Sequence, residues 1–381
     1  MQFDLSAQQA AAKKEATEVA GTYFSELSPE EDASSHFNKA GWIALSQSDF
    51  LRGFIPTEYG GRGWDTLTKA VALEAFGYKC ADNGLALGFS SLVCTILPPL
   101  FTFGSEDQIA RYLPKIIRGE LMTADCITEP QAGSDAMAME TTAEANDSGF
   151  ILNGEKVYIG LAPIADLLLV YAKTDPDAGA WGLSAFLVDC PSDGIHKSDN
   201  REKLGLRTLP MGDVRFDRCQ VPAEARLGGE GSGLSLFNES MEWERALILA
   251  TQVGVLARQL ETCVHFTQSR KQFKKPIAQF QSVSNRIAEM RVRLETCKLH
   301  LYKTSWLIDQ GKSIAAEAAM TKLCISEAFL ASSMDAMRIH GAAGYMSGSQ
   351  TERDLRDSVG GVLYAGTSDI QRNLIARLSG A

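Results

Sequence analysis

Histidine is scarce: five residues are scattered over 381, and none stands with cysteines at metal-ligand spacing. A zinc site is therefore not expected. The eight cysteines, Cys80, Cys94, Cys126, Cys190, Cys219, Cys263, Cys297 and Cys324, contain no CxxC pair. That excludes a thioredoxin-like motif or a disulfide scaffold and favours buried, reduced thiols. Positive charge is in deficit, with a formal net charge of −10 and a pI near 5.2. A phosphate backbone needs a basic face, so nucleic acid is not an expected partner. Long apolar runs are missing too. The longest, Leu85 to Leu100, is interrupted by Gly88, two serines and two prolines, so no membrane-spanning segment is expected. Met1–Gly21 lacks the apolar core of a signal peptide. Cytoplasm is the expected compartment.

What remains is an ordinary globular composition, 45% hydrophobic and 22% charged, without an internal repeat. Three zones follow one another. Residues 1–120 read as helical: Leu5–Phe24 is rich in Ala, Glu and Gln, and Ser105–Gln108 has the form of a capping box ahead of an amphipathic run. Residues 121–233 change period. Phe150–Ile159, Leu167–Lys173 and Leu183–Asp189 are short, β-branched or aromatic, and bounded by turn residues, which predicts a small antiparallel β domain. The glycine-rich run Gly228–Gly233 closes it. Residues 234–381 are helical again, with Ile277, Phe280, Ile287, Met290, Leu294, Cys297 and Leu301 forming a predicted bundle seam. The fold class is α+β, with a C-terminal four-helix-like bundle.

Four segments hold residue types suited to chemistry. Cys126–Asp135, CITEPQAGSD, crowds hydroxyls and free backbone N–H groups into one loop. Arg270–Gln281, RKQFKKPIAQFQ, sets basic residues around Phe273, which suits a pyrophosphate or an adenine as well as a solvated face. In Leu363–Gln371, Thr367 and Ser368 read as helix N-cap residues. Met241–Ala246 opens a long helix with Glu242 and Glu244 on different faces. An inward carboxylate there would be made more basic by desolvation, as a general base requires.

Three of these segments and a fourth, Arg338–Tyr345, resemble in order the acyl-CoA dehydrogenase family, over essentially the whole chain. The first is similar to C-x-TEP-x-AGSD, the second to RxxFGxxIxxFQ, Arg338–Tyr345 to QxxGGxGY, and Tyr364–Gln371 to YEGTSxIQ. The resemblance implies an α-helical N-terminal domain, a middle β domain, a C-terminal four-helix bundle, bound FAD and a homo-oligomer of tetramer type. It implies flavin contacts at Cys126, Thr128, Gly133 and Ser134, an aromatic stack at Tyr158, and Gly160 beside the ring. From a second subunit it implies Arg270, Phe273 and Gln281, with Gln272 also in the cofactor set. Arg338, Gly341, Thr367 and Asp369 complete the expected cofactor set.

The departures carry the functional reading. Most members place a catalytic Glu where this sequence has Ala365. Members of the isovaleryl type instead carry the base on the helix that opens the bundle, before an Arg, and Glu244–Arg245 falls there. The resemblance thus implies Glu244 as base, the Ala365 N–H as donor to a thioester carbonyl, and Arg245, Tyr364 and Gly366 in the substrate pocket. Gly160 stands where a Thr is common, Lys274 where a Gly is usual, and Arg338 where a Gln is usual. A narrower similarity, in Gln279–Ile287, Trp243–Glu244 and Asp309-Gln-Gly, is to dehydrogenases of proline held as a thioester on a carrier protein's phosphopantetheine arm. That implies a carrier-protein partner. A short branched-chain acyl-CoA dehydrogenase and a catalytically dead flavin-fold scaffold are the alternatives, the latter motivated by Ala365 and Gly160.

Overall fold

The computed structural model describes residues 4–380. Eight helices come first: α1 Ala7–Tyr23, α2 Pro29–Ala33, α3 Lys39–Gln47, α4 Asp49–Arg52, α5 Thr66–Lys79, α6 Asn83–Ser91, α7 Leu97–Phe103 and α8 Glu106–Ile117. The Ser105–Gln108 capping box is formed in full, each side chain bonded to the other's backbone N–H. Between α6 and α7 the chain makes a π-helical turn, Leu92–Ile96. The glycine, serines and prolines of this stretch do not break it, contrary to the expectation for Leu85–Leu100. Pro98 and Pro99 open α7, in the first turn, where a missing N–H is tolerated. The helical stretches Asn83–Phe103 and Gly233–Ser269 are long and apolar enough to cross a membrane by length and composition, again contrary to expectation. Their apolar windows are 78% and 72% buried inside the protein, as core helices are.

The middle zone is one sheet. Its strands are β1 Thr123–Cys126, β2 Thr142–Asn146, β3 Gly149–Gly160, β4 Leu167–Lys173, β5 Leu183–Asp189, β6 Ile195–Lys197, β7 Met211–Val221 and β8 Arg226–Leu227. The order is β6-β7-β3-β2-β4-β5-β8; most pairs are antiparallel as expected, but β1 and β2 each meet β4 in parallel, so the sheet is mixed. β4 and most of β5 are buried on both faces, so they read as unbroken apolar runs. β7 alternates buried and exposed residues, and its outward Arg and Asp side chains hid it from the sequence reading.

Seven helices and a small hairpin complete the chain: α9 Gly233–Leu247, α10 Ala250–Ser269, the hairpin β9 Lys271–Gln272 and β10 Lys275–Pro276, α11 Gln281–Asp309, α12 Ala315–His340, α13 Ala342–Tyr345, α14 Gln350–Gly361 and α15 Ser368–Leu378. The predicted seam is shorter than expected. Met290, Leu294, Cys297 and Leu301 are buried on α11, whereas Ile277 and Phe280 precede the helix. α5 and α10 meet backbone to backbone. A Cβ on Gly77 would lie 1.9 Å from the Thr251 carbonyl, and one on Gly254 would lie 2.0 Å from that of Glu74. Only glycine permits that approach, which locks α10 onto the N-terminal helices and so fixes α9 above the sheet.

Candidate active site

Glu244 lies about four-fifths of the way along α9, one turn from its C-terminal end. Its neighbours at helical spacing, Phe237, Ser240 and Met241, share its face. That face meets the sheet: the Phe237 ring stands edge-on to Tyr171 of β4 at 5.8 Å. The π turn closes another side, where buried Cys94 feels the charge of Glu244. The carboxylate of Glu244 makes no hydrogen bond among the described residues. Protein surrounds it, although part of the side chain still meets solvent-sized space, which is the signature of a group lining a recess. Burial pushes its pKa up to about 7, and the opposing cations Arg245 and Lys322 limit the rise.

Lys322, on α12, joins this carboxylate to the C-terminal loop. Its side chain is fully buried and donates to the Gly366 carbonyl at 2.7 Å. Burial draws its own pKa down to about 8, against the pull of Glu244. The loop Tyr364–Gly366 is held from the other side by Gln371, whose amide donates to the carbonyls of Ala365 and Gly366 at 3.0 Å each. Tyr364 is fixed by a 2.7 Å bond from the Gln252 amide to its hydroxyl. Ala365 has φ +56° and Gly366 φ +77°. This left-handed pair turns two successive N–H groups away from helical partners, and neither finds an acceptor among the described residues. Thr367 then caps α15 through the Ile370 N–H at 3.2 Å. Ser368, also expected to cap, is the first helical residue instead, and its buried hydroxyl is unpartnered. Asp369 is exposed and paired with Arg372 at 2.9 Å.

The CITEPQAGSD loop leaves β1 beside the same recess. Cys126 is buried, and the Thr128 carbonyl accepts from Val157 N–H at 2.8 Å. Glu129 is locked to Lys156 by a fully buried 2.7 Å ion pair and also accepts from the N–H groups of Glu140 and Thr141. Burial alone would raise the Glu129 pKa; Lys156 and these N–H groups hold it below the usual value. Gly133 and Ser134 are exposed, and a Cβ on Gly133 would meet nothing. Tyr158 sits in a bulge of β3 with φ +59°, its ring 59% exposed. Its backbone N–H donates to Asp213 at 3.1 Å, and Arg201 covers the ring at 5.0 Å. At Gly160 a Cβ would meet only Leu209, at 3.7 Å, so packing leaves room for a side chain.

The remaining predicted residues lie elsewhere. Arg270 ends α10, about 30 Å along the helix from its start next to α9. Arg338 and Gly341 end α12, roughly 25 Å beyond Lys322. Phe266 and His340 stack at 4.3 Å, so the two helix ends meet at the far pole of the bundle. There Arg270, Gln272, Phe273 and Gln281 are exposed, Phe273 at 88% with φ +49°. One chain therefore does not bring this group to Glu244. Arg338 is exposed and pairs with Asp335 at 3.3 Å.

Sequence reasoning missed Lys322, Gln371, Gln252 and Tyr171. Gln371 closes the YAGTSDIQ segment and was within reach of the motif. The other three sit on apolar-looking helices and strands, where nothing in the local pattern marks a polar side chain as turned inward.

Family models match nearly the full length: "Acyl-CoA dehydrogenase, N-terminal domain" over residues 6–120, "middle domain" over 124–219 and "C-terminal domain" over 231–379. The chain is 41% identical to an L-prolyl-[peptidyl-carrier protein] dehydrogenase of Pseudomonas fluorescens, over 90% of this chain and 91% of that one. Among solved structures it is similar to the prolyl acyl carrier protein oxidase AnaB, with a TM-score of 0.96, 40% identity, and 99% and 100% of the two chains covered. It is similar also to PigA with FAD and proline, with a TM-score of 0.97, 36% identity, and 100% and 99% covered.

Proposed function

The chain belongs to the acyl-CoA dehydrogenase family, and on that premise we propose that it is an FAD-dependent dehydrogenase of prolyl thioesters carried on a carrier protein. One observation carries the mechanism. A carboxylate free of hydrogen bonds, held near neutrality in its pKa, lines a recess closed on another side by a loop with two free N–H groups. That pairing suits removal of the proton next to a thioester carbonyl.

The residues present fit the cofactor. Tyr158 offers an exposed aromatic face, and Gly133 leaves open space beside the Ser134 hydroxyl. In this reading Cys126, Thr128, Gly133, Ser134, Tyr158, Gly160, Thr367 and Asp369 serve the flavin from one subunit. Arg270, Gln272, Phe273, Gln281, Arg338 and Gly341 serve it across an oligomer contact, since exposed Phe273 and Arg270 reach no site in their own chain. Bound FAD would supply the acceptor for the hydride leaving the β-carbon.

The chain's own residues perform the rest. The Ala365 N–H donates to the thioester oxygen and stabilises the negative charge that develops there. Glu244 takes the α-proton. With a pKa of about 7 it is deprotonated enough to act at neutral pH, yet basic enough to bind the proton it removes. Lys322 holds the Gly366 carbonyl and so aims the loop, while Tyr364 and Arg245 wall the pocket.

The test is anaerobic bleaching of the FAD-loaded protein with prolyl-loaded carrier protein and with a panel of acyl-CoAs. Rapid bleaching by the prolyl thioester alone is expected. Bleaching by isovaleryl-CoA but not by the prolyl thioester would move the assignment to branched acyl-CoA chains. A protein that stays colourless with FAD would make it a scaffold.

A further inference from the structure

Beside Glu244 the recess holds a second carboxylate, Asp125, that the mechanism does not use. In the parallel ladder Asp125 stands opposite Leu169, so Tyr171, two residues further along β4, projects from the same sheet face. The α9 face carrying Phe237, Ser240 and Glu244 lies over that sheet face, as the Phe237–Tyr171 contact requires. Three polar groups meet there without partners. They are Oδ1 of Asp125, the hydroxyl of fully buried Tyr171 and the hydroxyl of Ser240, which is 1% exposed. The two hydroxyls lie beside each other but miss hydrogen-bond geometry. The cation nearest Asp125 is Lys156, and its bonds go to Glu129 and the Ile127 carbonyl instead.

Such a group is costly unless a ligand completes it. A buried acceptor left unmatched costs about 1–3 kcal/mol, more when charged. Two enclosed carboxylates also resist joint ionisation, and burial first, then the charge of Glu244, raises the Asp125 pKa far above the usual range. A hydrocarbon acyl group would leave all of this unsatisfied, because it offers only C–H. A prolyl thioester offers a secondary ammonium bonded directly to the carbon whose proton Glu244 removes. Its two N–H donors and its positive charge are what the pair of carboxylates lacks.

We propose that Asp125 is the specificity-determining residue that binds the ring nitrogen of the prolyl thioester, with Tyr171 and Ser240 buried behind it; this rests on the prolyl reading above. Asp125 thereby fixes the ring so that its α-C–H faces Glu244, and it discriminates against acyl groups without nitrogen.

The experiment compares the FAD-loaded wild-type protein with Asp125→Ala and Asp125→Asn. Each is reduced anaerobically by carrier protein loaded with proline or with cyclopentanecarboxylate, the same ring without nitrogen. Flavin retention and thermal melting report folding. Asp125→Ala should lose at least about tenfold in kcat/KM for proline, the size of a lost charged hydrogen bond, and change less than about threefold for the carbocycle. Asp125→Asn keeps the shape and the oxygen acceptor without the charge, and should fall between. Equal losses on both substrates, or none on proline, would overturn the proposal while leaving the prolyl assignment intact. Failure of the wild-type protein to turn over proline would overturn both.

Discussion

Lys322 donates to the Gly366 carbonyl at 2.7 Å while its charge faces Glu244 across the same recess. One buried ammonium thus serves two elements: it positions the loop that offers the N–H donors, and it tempers the basicity of the carboxylate.

Lys322→Met, close in volume, should therefore change the pH profile as well as the rate. Glu244 acts deprotonated, so activity rises with pH through its pKa of about 7. Without the neighbouring cation the pKa goes higher, and the acid limb of kcat/KM should move up by on the order of one unit. A pH–rate profile of the two proteins checks this. An unmoved limb with lower kcat would leave Lys322 a role in loop positioning only.

Glu244→Gln should keep FAD and lose turnover by about 10²–10⁴-fold, the usual contribution of a general base. The same change should stabilise the cofactor-free protein at neutral pH. The folded-state pKa is raised from 4.5 to about 7, so the neutral acid favours folding. That contribution is full below pH 4.5 and is lost as pH rises to 7. Unfolding free energies from urea titrations at pH 5 and pH 8 should diverge for the wild-type protein, by on the order of 2–3 kcal/mol more than for the variant.

Glu129→Gln breaks a buried pair whose side chains are 0% and 2% exposed, and strands Lys156. A loss of about 3–5 kcal/mol in unfolding free energy is expected. Because Glu129 also receives two backbone N–H groups beyond the TEP turn, flavin retention should fall with it. Equilibrium unfolding and the absorbance of the purified protein report the two effects separately.

Ala365 holds φ +56°, where a side chain is strained and a β-branched one more so. Ala365→Gly should be no less stable than the native protein and keep kcat/KM within about threefold, because the N–H donor remains. Ala365→Val should cost at least about 1 kcal/mol and disturb turnover. Thermal melts alongside kinetics separate these outcomes.

The order of elements and the candidate base, Glu244, were readable because both leave local marks. Capping, strand period and four ordered segments are features of adjacent residues, and Ala365 pointed to Glu244 by removing the usual alternative. Asp125, Tyr171 and Lys322 left no such mark. Each is a polar residue whose neighbours give no sign of its direction; the packing of α9 over the sheet turns Asp125 and Tyr171 toward Glu244, and the packing of α12 on α9 does the same for Lys322. β7 was missed for the opposite reason: its outward charges, Arg215 and Asp217 among them, mask its inward period. The π turn was equally hidden, because an added residue in a helix changes hydrogen-bond register without changing composition.

That turn has a consequence for how this pocket can vary. It holds one residue more than an α-helix would over the same rise, and it lies between the helix of Glu244 and the strand of Asp125. Deleting a single residue such as Thr95 would restore regular α bonding and reshape the turn itself while leaving Leu97–Phe103 close to their present places, because the turn absorbs the extra residue. The wall of the recess would be rebuilt without any substitution in it. A one-residue deletion here is therefore expected to change which acyl groups fit while the residues named above stay unchanged, and an acyl-thioester panel on that variant checks it.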